Sequence, residues 1–448
     1  MTSIFLCCLA FAICYKLGRR SLVAGLIAVL AIGYLYGILR ANFVETFSHF
    51  IFDAGAVGLY GAQLFRVLRP EQRAQIQPLK NWLILLIGWP LLMFLVPLQD
   101  PLVQLVGLRG NIFLLPFLIF GARLEGEDLY KLTLGVAVLN LIAFAFAIAE
   151  FFLGVEKFYP YSAVTELIYR SKDVANFTAY RIPSIFTSAH AYSGTMVMTL
   201  PLLVGAWVQR RATKWQGYLI AAALMAALLG VFMAAARVHM LILALLLVIT
   251  TLSGQLKPVA RFGWIIMLIG VGWVVSSEER LQRFLTLQDT GYVAERVAGS
   301  VNMDFFTLAA NYPMGNGLGG GGTSIPYFLQ DLIRDPVGME NEFARIMLEQ
   351  GIPGLFLWIV FIVWIFTRRT ISRRETWYLS RRLAWFASAI YFCGAWLGVG
   401  LLTSVPQTCF ILLCAGWITV RQTTVTDNRT APRLVREPVL ARQYGRST

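Results

Sequence analysis

Charge is scarce in this chain. Only 14% of its 448 residues are Asp, Glu, Lys or Arg, against about 25% in a soluble globular domain, which excludes a single soluble core. Histidine is scarcer still, with three in all, and the six cysteines, Cys7, Cys8, Cys14, Cys393, Cys409 and Cys414, sit inside apolar runs. Neither HExxH nor CxxC spacing occurs, so no zinc set and no disulfide framework is offered to the aqueous loops. No metal and no cofactor is expected. Internal repeats and long Pro/Ser linkers are lacking as well, and the chain reads as one unit.

What is abundant is hydrocarbon. Hydrophobic residues make up 58% of the chain and mean hydropathy is +0.66. Apolar runs near the ~20 residues needed to cross a bilayer recur at Trp82 to Pro97, Leu132 to Leu153, Gly217 to Ala236, Met240 to Leu252 and Leu383 to Leu402. Runs of this length without strand alternation satisfy their backbone in lipid only as helices. The expected fold is an all-α polytopic membrane bundle of about 12–13 spans, near 2–17, 21–40, 47–65, 81–98, 110–121, 131–153, 190–209, 215–236, 238–253, 261–276, 351–367, 383–402 and 405–420. The 110–121 span is short enough to be re-entrant. The first span runs into Gly18, Arg19, Arg20 and a second span without a small-residue cleavage site, and reads as a retained helix.

With loops assigned alternately to the two faces, 26 of the 38 Lys and Arg fall in one set. That set is cytoplasmic by the positive-inside rule. The long loops 154–189 and 277–350 then face outward, and residues 422–448 form a basic cytoplasmic tail that reads as disordered. The net charge of +14 reports topology and anionic membrane lipid, not nucleic acid.

Against this background the outward charges can be questioned singly. Arg237 opens an apolar span and is the only charge between Lys214 and Lys257. An arginine at that depth is costly unless paired or snorkelling, so function is the default expectation, and its planar fork suits phosphate or pyrophosphate. Arg181 precedes the span that starts near His190, and Arg296, Arg334 and Arg345 lie in the second outer loop. Several arginines at one face suggest an anionic headgroup, although salt bridges to Glu295, Asp335, Glu342 and Glu349 explain them equally well. Glu340, in VGMENEFARIM, is the candidate base, with Glu342, His190 and His239 as secondary candidates. Asp53 is a second intramembrane charge with no evident partner. The run NYPMGNGLGGGG places six glycines between 315 and 322, and suits a hinge or a phosphate cradle about equally. Residues 278–304 carry apolar side chains at helical spacing and predict interfacial helices. Tyrosines and charges in the first outer loop suit either sugar or membrane-surface packing.

Together, ARVHMLILALL, then NYPMGNGLGGGG in a large outer loop, then ENEFARIMLEQGIPGLFLWI, resemble the bacterial O-antigen polymerase and O-antigen ligase superfamily over roughly residues 130 to 420. RIPSIFTSAHAYSG resembles the family's segment after its first long periplasmic loop. The resemblance implies a GT-C-like glycosyltransferase of the inner membrane that takes a glycan from an undecaprenyl-pyrophosphate carrier at the periplasmic face. It implies that Arg237 and Arg181, with Arg296 and Arg345, hold the pyrophosphate. Pro313, Gly315, Gly317 and Gly319 would shape the loop near the donor, and Glu340 would occupy the position of the family's histidine. Glutamate there favours polymerase over ligase. A flippase and a chain-length regulator are the protein partners the resemblance allows. A transporter for the same lipid-linked sugar is the rival of another class; neither paired broken helices nor an inverted repeat is expected from the sequence.

Overall fold

The computed structural model describes residues 1–171, 179–209, 213–253, 258–277, 290–291, 294–295, 305–322, 325–337, 341–368, 370–373, 375–396, 398 and 400–421. Their regular structure is helical, and no strand occurs among them. In chain order the helices are α1 (Thr2–Arg20), α2 (Leu22–Asn42), α3 (Ile51–Leu64), α4 (Pro70–Phe94), α5 (Pro101–Ile112), α6 (Pro116–Ala122), α7 (Gly126–Leu153) and α8 (Glu166–Tyr169). They continue with α9 (Ala189–Gln209), α10 (Lys214–Met233), α11 (Arg237–Leu252), α12 (Pro258–Ser277), α13 (Phe305–Asn311), α14 (Glu342–Thr367), α15 (Tyr378–Gly394) and α16 (Gln407–Ile418). Eight helical segments among the described residues are long and apolar enough to span a membrane. The chain is a multi-pass membrane protein by that measure.

Burial orders the bundle. The most apolar stretch of α9 is 89% buried, whereas that of α1 is 22% buried, so α9 is the central helix and α1 turns most of its surface outward. Its polar groups find partners on neighbours. Thr199 of α9 accepts from Asn140 of α7 at 2.8 Å, and Asn140 in turn accepts from the Tyr34 hydroxyl of α2 at 2.7 Å. Without such partners, amide and hydroxyl groups in an apolar interior would cost stability.

Each expected span contains a helix, but among the described residues only eight segments are long and apolar enough to span: α11, α15 and α16, in the expected spans 238–253, 383–402 and 405–420, have 16, 17 and 12 residues, and three further segments differ in where the helix runs. The 47–65 segment contains a helix of only 14 residues, α3, preceded by a 3-10 turn at Thr46–Phe50. The 110–121 segment is the second part of an interrupted span, α5 and α6, broken before Pro116. The late span begins at Glu342, not at 351, and is itself broken at Gly351, whose φ of 69° and ψ of −177° are non-helical. The expectation that no pair of broken helices occurs is therefore corrected. Apolar composition alone does not show where a helix is interrupted. Most of the expected interfacial helices of 278–304, and the 422–448 tail, lie outside the described residues.

Asp53 has a partner after all. Arg109 of α5 holds it bidentately, Nε to Oδ2 at 2.6 Å and Nη2 to Oδ1 at 2.8 Å. The carboxylate also lies in the first turn of α3, where the helix dipole favours a negative charge.

Small residues set the closest helix approach. A Cβ on Gly121 of α6 would stand 2.0 Å from the Leu413 carbonyl oxygen of α16, and one on Gly416 would stand 1.9 Å from the Leu118 carbonyl oxygen. Gly416→Val is therefore expected to force α6 and α16 apart and cost about 1–3 kcal/mol or more. A melting curve of the purified variant indistinguishable from wild type would rule this packing out.

The two ends of the bundle can be told apart from contacts. Tyr391, late in α15, donates to Gly194 at the start of α9, and Ser380, early in α15, donates to Pro201 further along α9. α9 and α15 are thus antiparallel. The Glu342 N–H donates to the Ala395 carbonyl at 2.9 Å, which brings the start of α14 to the same end as the starts of α9 and α11. Residues 181–188 cover this end as well. There the Tyr159 hydroxyl donates to the carbonyls of Ser184 and Phe186, and the Ser184 N–H donates to buried Glu150 at 2.8 Å.

Candidate functional site

Two helices begin side by side at this end. A helix start leaves backbone N–H groups without intrahelical acceptors and carries partial positive charge. α9 opens beneath Ser188, whose hydroxyl accepts from the Ala191 N–H at 3.2 Å. α11 is entered through Ala235 at φ 50° and opens at Arg237 with no side-chain cap on its first turn.

First-turn side chains of the two helices meet. The rings of His190 and His239 stand 6.2 Å apart at 66°. The Ser193 hydroxyl donates to the Ala189 carbonyl at 2.9 Å and lies 2.8 Å from His239 Nδ1. The same hydroxyl lies 3.2 Å from the His190 carbonyl, and its contact with Nδ1 fixes the orientation of the His239 ring. Tyr391 closes the far side, its ring 5.7 Å from that of His239.

Arg181 comes from the covering segment. Its Nη1 lies 3.5 Å from His190 Nε2, and because a guanidinium has donors only, Nε2 is the acceptor. His239 is buried at 6% exposure, His190 is exposed, and Arg181 and Arg237 are half-buried. Two guanidinium groups, two helix starts and two imidazoles thus share one end of the bundle. Such a set can hold a multiply charged anion and move a proton beside it.

Arg345 is placed elsewhere. Its side chain is fully buried, with Nη2 2.5 Å from Glu342 Oε1 and Nη1 2.7 Å from Glu349 Oε2. Asn111 of α5 joins the network, donating to Glu349 Oε2 at 2.6 Å and accepting from Gln350 at 2.8 Å. Glu342 Oε2 accepts from the Gly400 N–H at 2.7 Å. The two interrupted spans therefore meet at a buried ionic cluster. Arg345, expected at the pyrophosphate, and Glu342, expected as a secondary base, are thus both buried and engaged with each other, away from the His190–His239 pair.

The glycine-rich loop supports that cluster. The break at Gly351 frees carbonyls of α14, and neighbours take them up: the Asn316 N–H donates to Leu348 O at 2.6 Å and the Trp89 indole donates to Gln350 O at 2.9 Å. Close approach is what demands glycine here. Gly315 lies at φ 91°, where a Cβ would stand 2.9 Å from the Gly351 nitrogen, and Gly319 lies at φ 82°, where a Cβ would stand 2.6 Å from the Val103 carbonyl oxygen. Gly317 packs in the same way on Leu98. Pro313 accepts from the Ile352 N–H at 2.9 Å. Packing of the loop against α5 and the broken helix accounts for these residues without a ligand.

Glu340 and Arg296 lie outside the described residues. Asn341, the residue after Glu340, caps α14 by accepting from the Ala344 N–H at 2.7 Å. Among the described residues, no three His, Cys, Asp or Glu side chains converge on a point where they could hold a metal ion.

Reading the sequence missed several participants. Ser193 and Tyr391 carry no distinguishing pattern inside apolar runs, whereas Asn111 and Gln350 were visible as amides within expected spans or beside them. His49 was also passed over. Its ring lies 5.7 Å from that of Phe328 and 6.2 Å from that of Tyr327. Tyr327 and Phe328, at 43% and 39% exposure, add aromatic faces to this end. No known family model matches the chain, and no curated protein matches it.

Proposed function

We propose that the protein is an integral-membrane glycosyltransferase that polymerises glycan repeat units, taking the glycan from an undecaprenyl-pyrophosphate carrier at the periplasmic face of the bacterial inner membrane. The observation that carries this reading is the convergence of Arg181, His190, Arg237 and His239 on the adjoining starts of α9 and α11.

The carrier's pyrophosphate seats against Arg237 and Arg181, whose charge persists at any working pH. Its arrival draws the Arg181 guanidinium from His190 Nε2 and frees that lone pair. His190 then accepts the proton of an acceptor sugar hydroxyl as the hydroxyl oxygen bonds to the anomeric carbon. The bond from that carbon to the phosphate oxygen breaks, and undecaprenyl pyrophosphate leaves with the electron pair. Direct displacement inverts the anomeric centre. His239, oriented by Ser193, adds a second imidazole beside the leaving group. Exposed Tyr327 and Phe328 offer faces on which sugar rings can pack. The leaving group is already activated, so positioning and electrostatics suffice for the transfer. Ligation of the glycan to lipid A-core uses the same chemistry with another acceptor.

A second reading has one specific observation in its favour. The interrupted spans α5–α6 and α14 meet at the buried cluster of Asn111, Glu342, Arg345 and Glu349, a feature that transporters share. A deletion strain separates the two readings. Single lipid-linked repeat units accumulating on the outer leaflet are expected for a lost polymerase, and accumulation on the inner leaflet would make the protein a transporter of that lipid. In a purified system, Arg237→Lys is expected to fold normally and to lose roughly ten- to hundredfold in polymer formation, since an ammonium keeps the charge but not the bidentate fork. Normal polymer from that variant would reduce Arg237 to a snorkelling residue.

A further inference from the structure

The end of the bundle opposite the His190–His239 pair holds a cavity of about 380 Å³, lined by Gln75, Arg368, Thr370, Thr419, Val420 and Arg421. Its walls are the start of α4, the chain just beyond α14 and the chain just beyond α16. They are held in place by a capping arginine. Buried Arg381 pairs with Glu375 at 2.6 Å and donates to the carbonyls of Trp417 at 3.1 Å, Ile418 at 3.3 Å and Val420, while the Thr370 hydroxyl donates to Ile418 O. The last turn of α16 and residues 419–421 are thereby fixed beside Arg368.

That arrangement consumes Glu375 and leaves two cations among the described residues of the lining. Arg368 and Arg421 line the cavity, and among the described residues no carboxylate does. They are close enough to repel: burial and the Arg421 charge together push the Arg368 pKa down. Like charges held together in a preformed concavity favour an anion, and guanidinium groups favour a planar or tetrahedral oxyanion that accepts two hydrogen bonds. Gln75 adds an amide donor. Arg368 is oriented by Trp364, with Cζ 4.8 Å from the ring centre, and tryptophan at the end of a span marks headgroup depth. A volume of this size suits a small ligand or headgroup, for which cavities of about 300–1,000 Å³ are typical.

We propose that this cavity binds the phosphate of an anionic phospholipid headgroup, as a built site distinct from the diffuse attraction of basic loops to the membrane. It lies at the end of the bundle away from the proposed transfer site and is independent of that reading.

The test uses the full-length protein in neutral detergent, incubated in parallel with phosphatidylglycerol, phosphatidylcholine or inorganic phosphate, with bound lipid read by native mass spectrometry and stability read as Tm. Wild type is expected to retain phosphatidylglycerol over phosphatidylcholine and to melt higher with it. The double variant Arg368→Gln/Arg421→Gln is expected to lose that preference by about tenfold or more. The double variant Arg19→Gln/Arg20→Gln removes two exposed arginines at the same end and should keep it. Equal loss in both double variants would mean that lipid reads net charge alone, and undiminished retention by the cavity variant would likewise overturn the site. A Tm rise with inorganic phosphate matching that with phosphatidylglycerol would make the ligand a free oxyanion and overturn the lipid assignment. Should the cavity variant fail to fold, Gln75→Glu puts a carboxylate into the lining, and retention unchanged in it would equally refute the proposal.

Discussion

Arg345→Met is expected to destabilise the protein by about 3–5 kcal/mol, because it strands two buried carboxylates that share one counter-charge. Glu342 and Glu349 are both fully buried, and their oxygens lie 2.5 and 2.7 Å from the guanidinium. The exposed pair Arg170–Glu166 provides the contrast. At 2.5 Å its distance is as short, but its side chains are 75% and 44% exposed, so Arg170→Met should cost at most about 1 kcal/mol. Distance alone would rank the two pairs together; desolvation separates them. The triple variant Arg345→Met/Glu342→Gln/Glu349→Gln should recover much of the loss, since it removes the uncompensated charge along with the pair. Thermal melts of the purified proteins measure all three. Arg345→Met melting like Arg170→Met would show that water reaches the cluster.

The second large effect concerns proton transfer. Loss of a general base typically lowers the rate by ~10²–10⁴, and His190→Gln is expected to do so at saturating donor, in polymer formation from lipid-linked repeat units, with carrier binding little changed. Glu340, the base implied by the family resemblance, supplies the rival arm. If His190 is the base, Glu340→Gln should turn over within a few-fold of wild type; the reverse pattern would move the proton to Glu340 and leave His190 as a partner of Arg181. Ser193→Ala tests positioning separately. It removes the hydroxyl at 2.8 Å from His239 Nδ1, so a kcat loss smaller than that of His190→Gln, at unchanged KM, is its expected signature.

Segments whose character is local were legible before the fold. Hydrophobic runs specify helices in lipid because each helix satisfies its own backbone, a requirement written over some twenty consecutive residues. Isolated polar residues stood out for the same reason: Arg237 and His239 are conspicuous among apolar neighbours, and both lie at the site. What charge does once the chain folds was not legible. Arg345 and Arg237 are both outward arginines near an apolar span in the sequence, yet one is sealed between carboxylates and the other sits half-buried at the start of α11. Partners decide this, and partners are distant in sequence. Asn111 and Glu349 are 238 positions apart and Asp53 and Arg109 are 56 apart, and no periodicity within either segment encodes the other's position. The glycines at 315–322 make the same case. Their number announced unusual backbone, but whether it cradled an anion or filled the gap opened by a broken helix depended on Gly351 and Val103 arriving at van der Waals distance, which only the packed bundle decides.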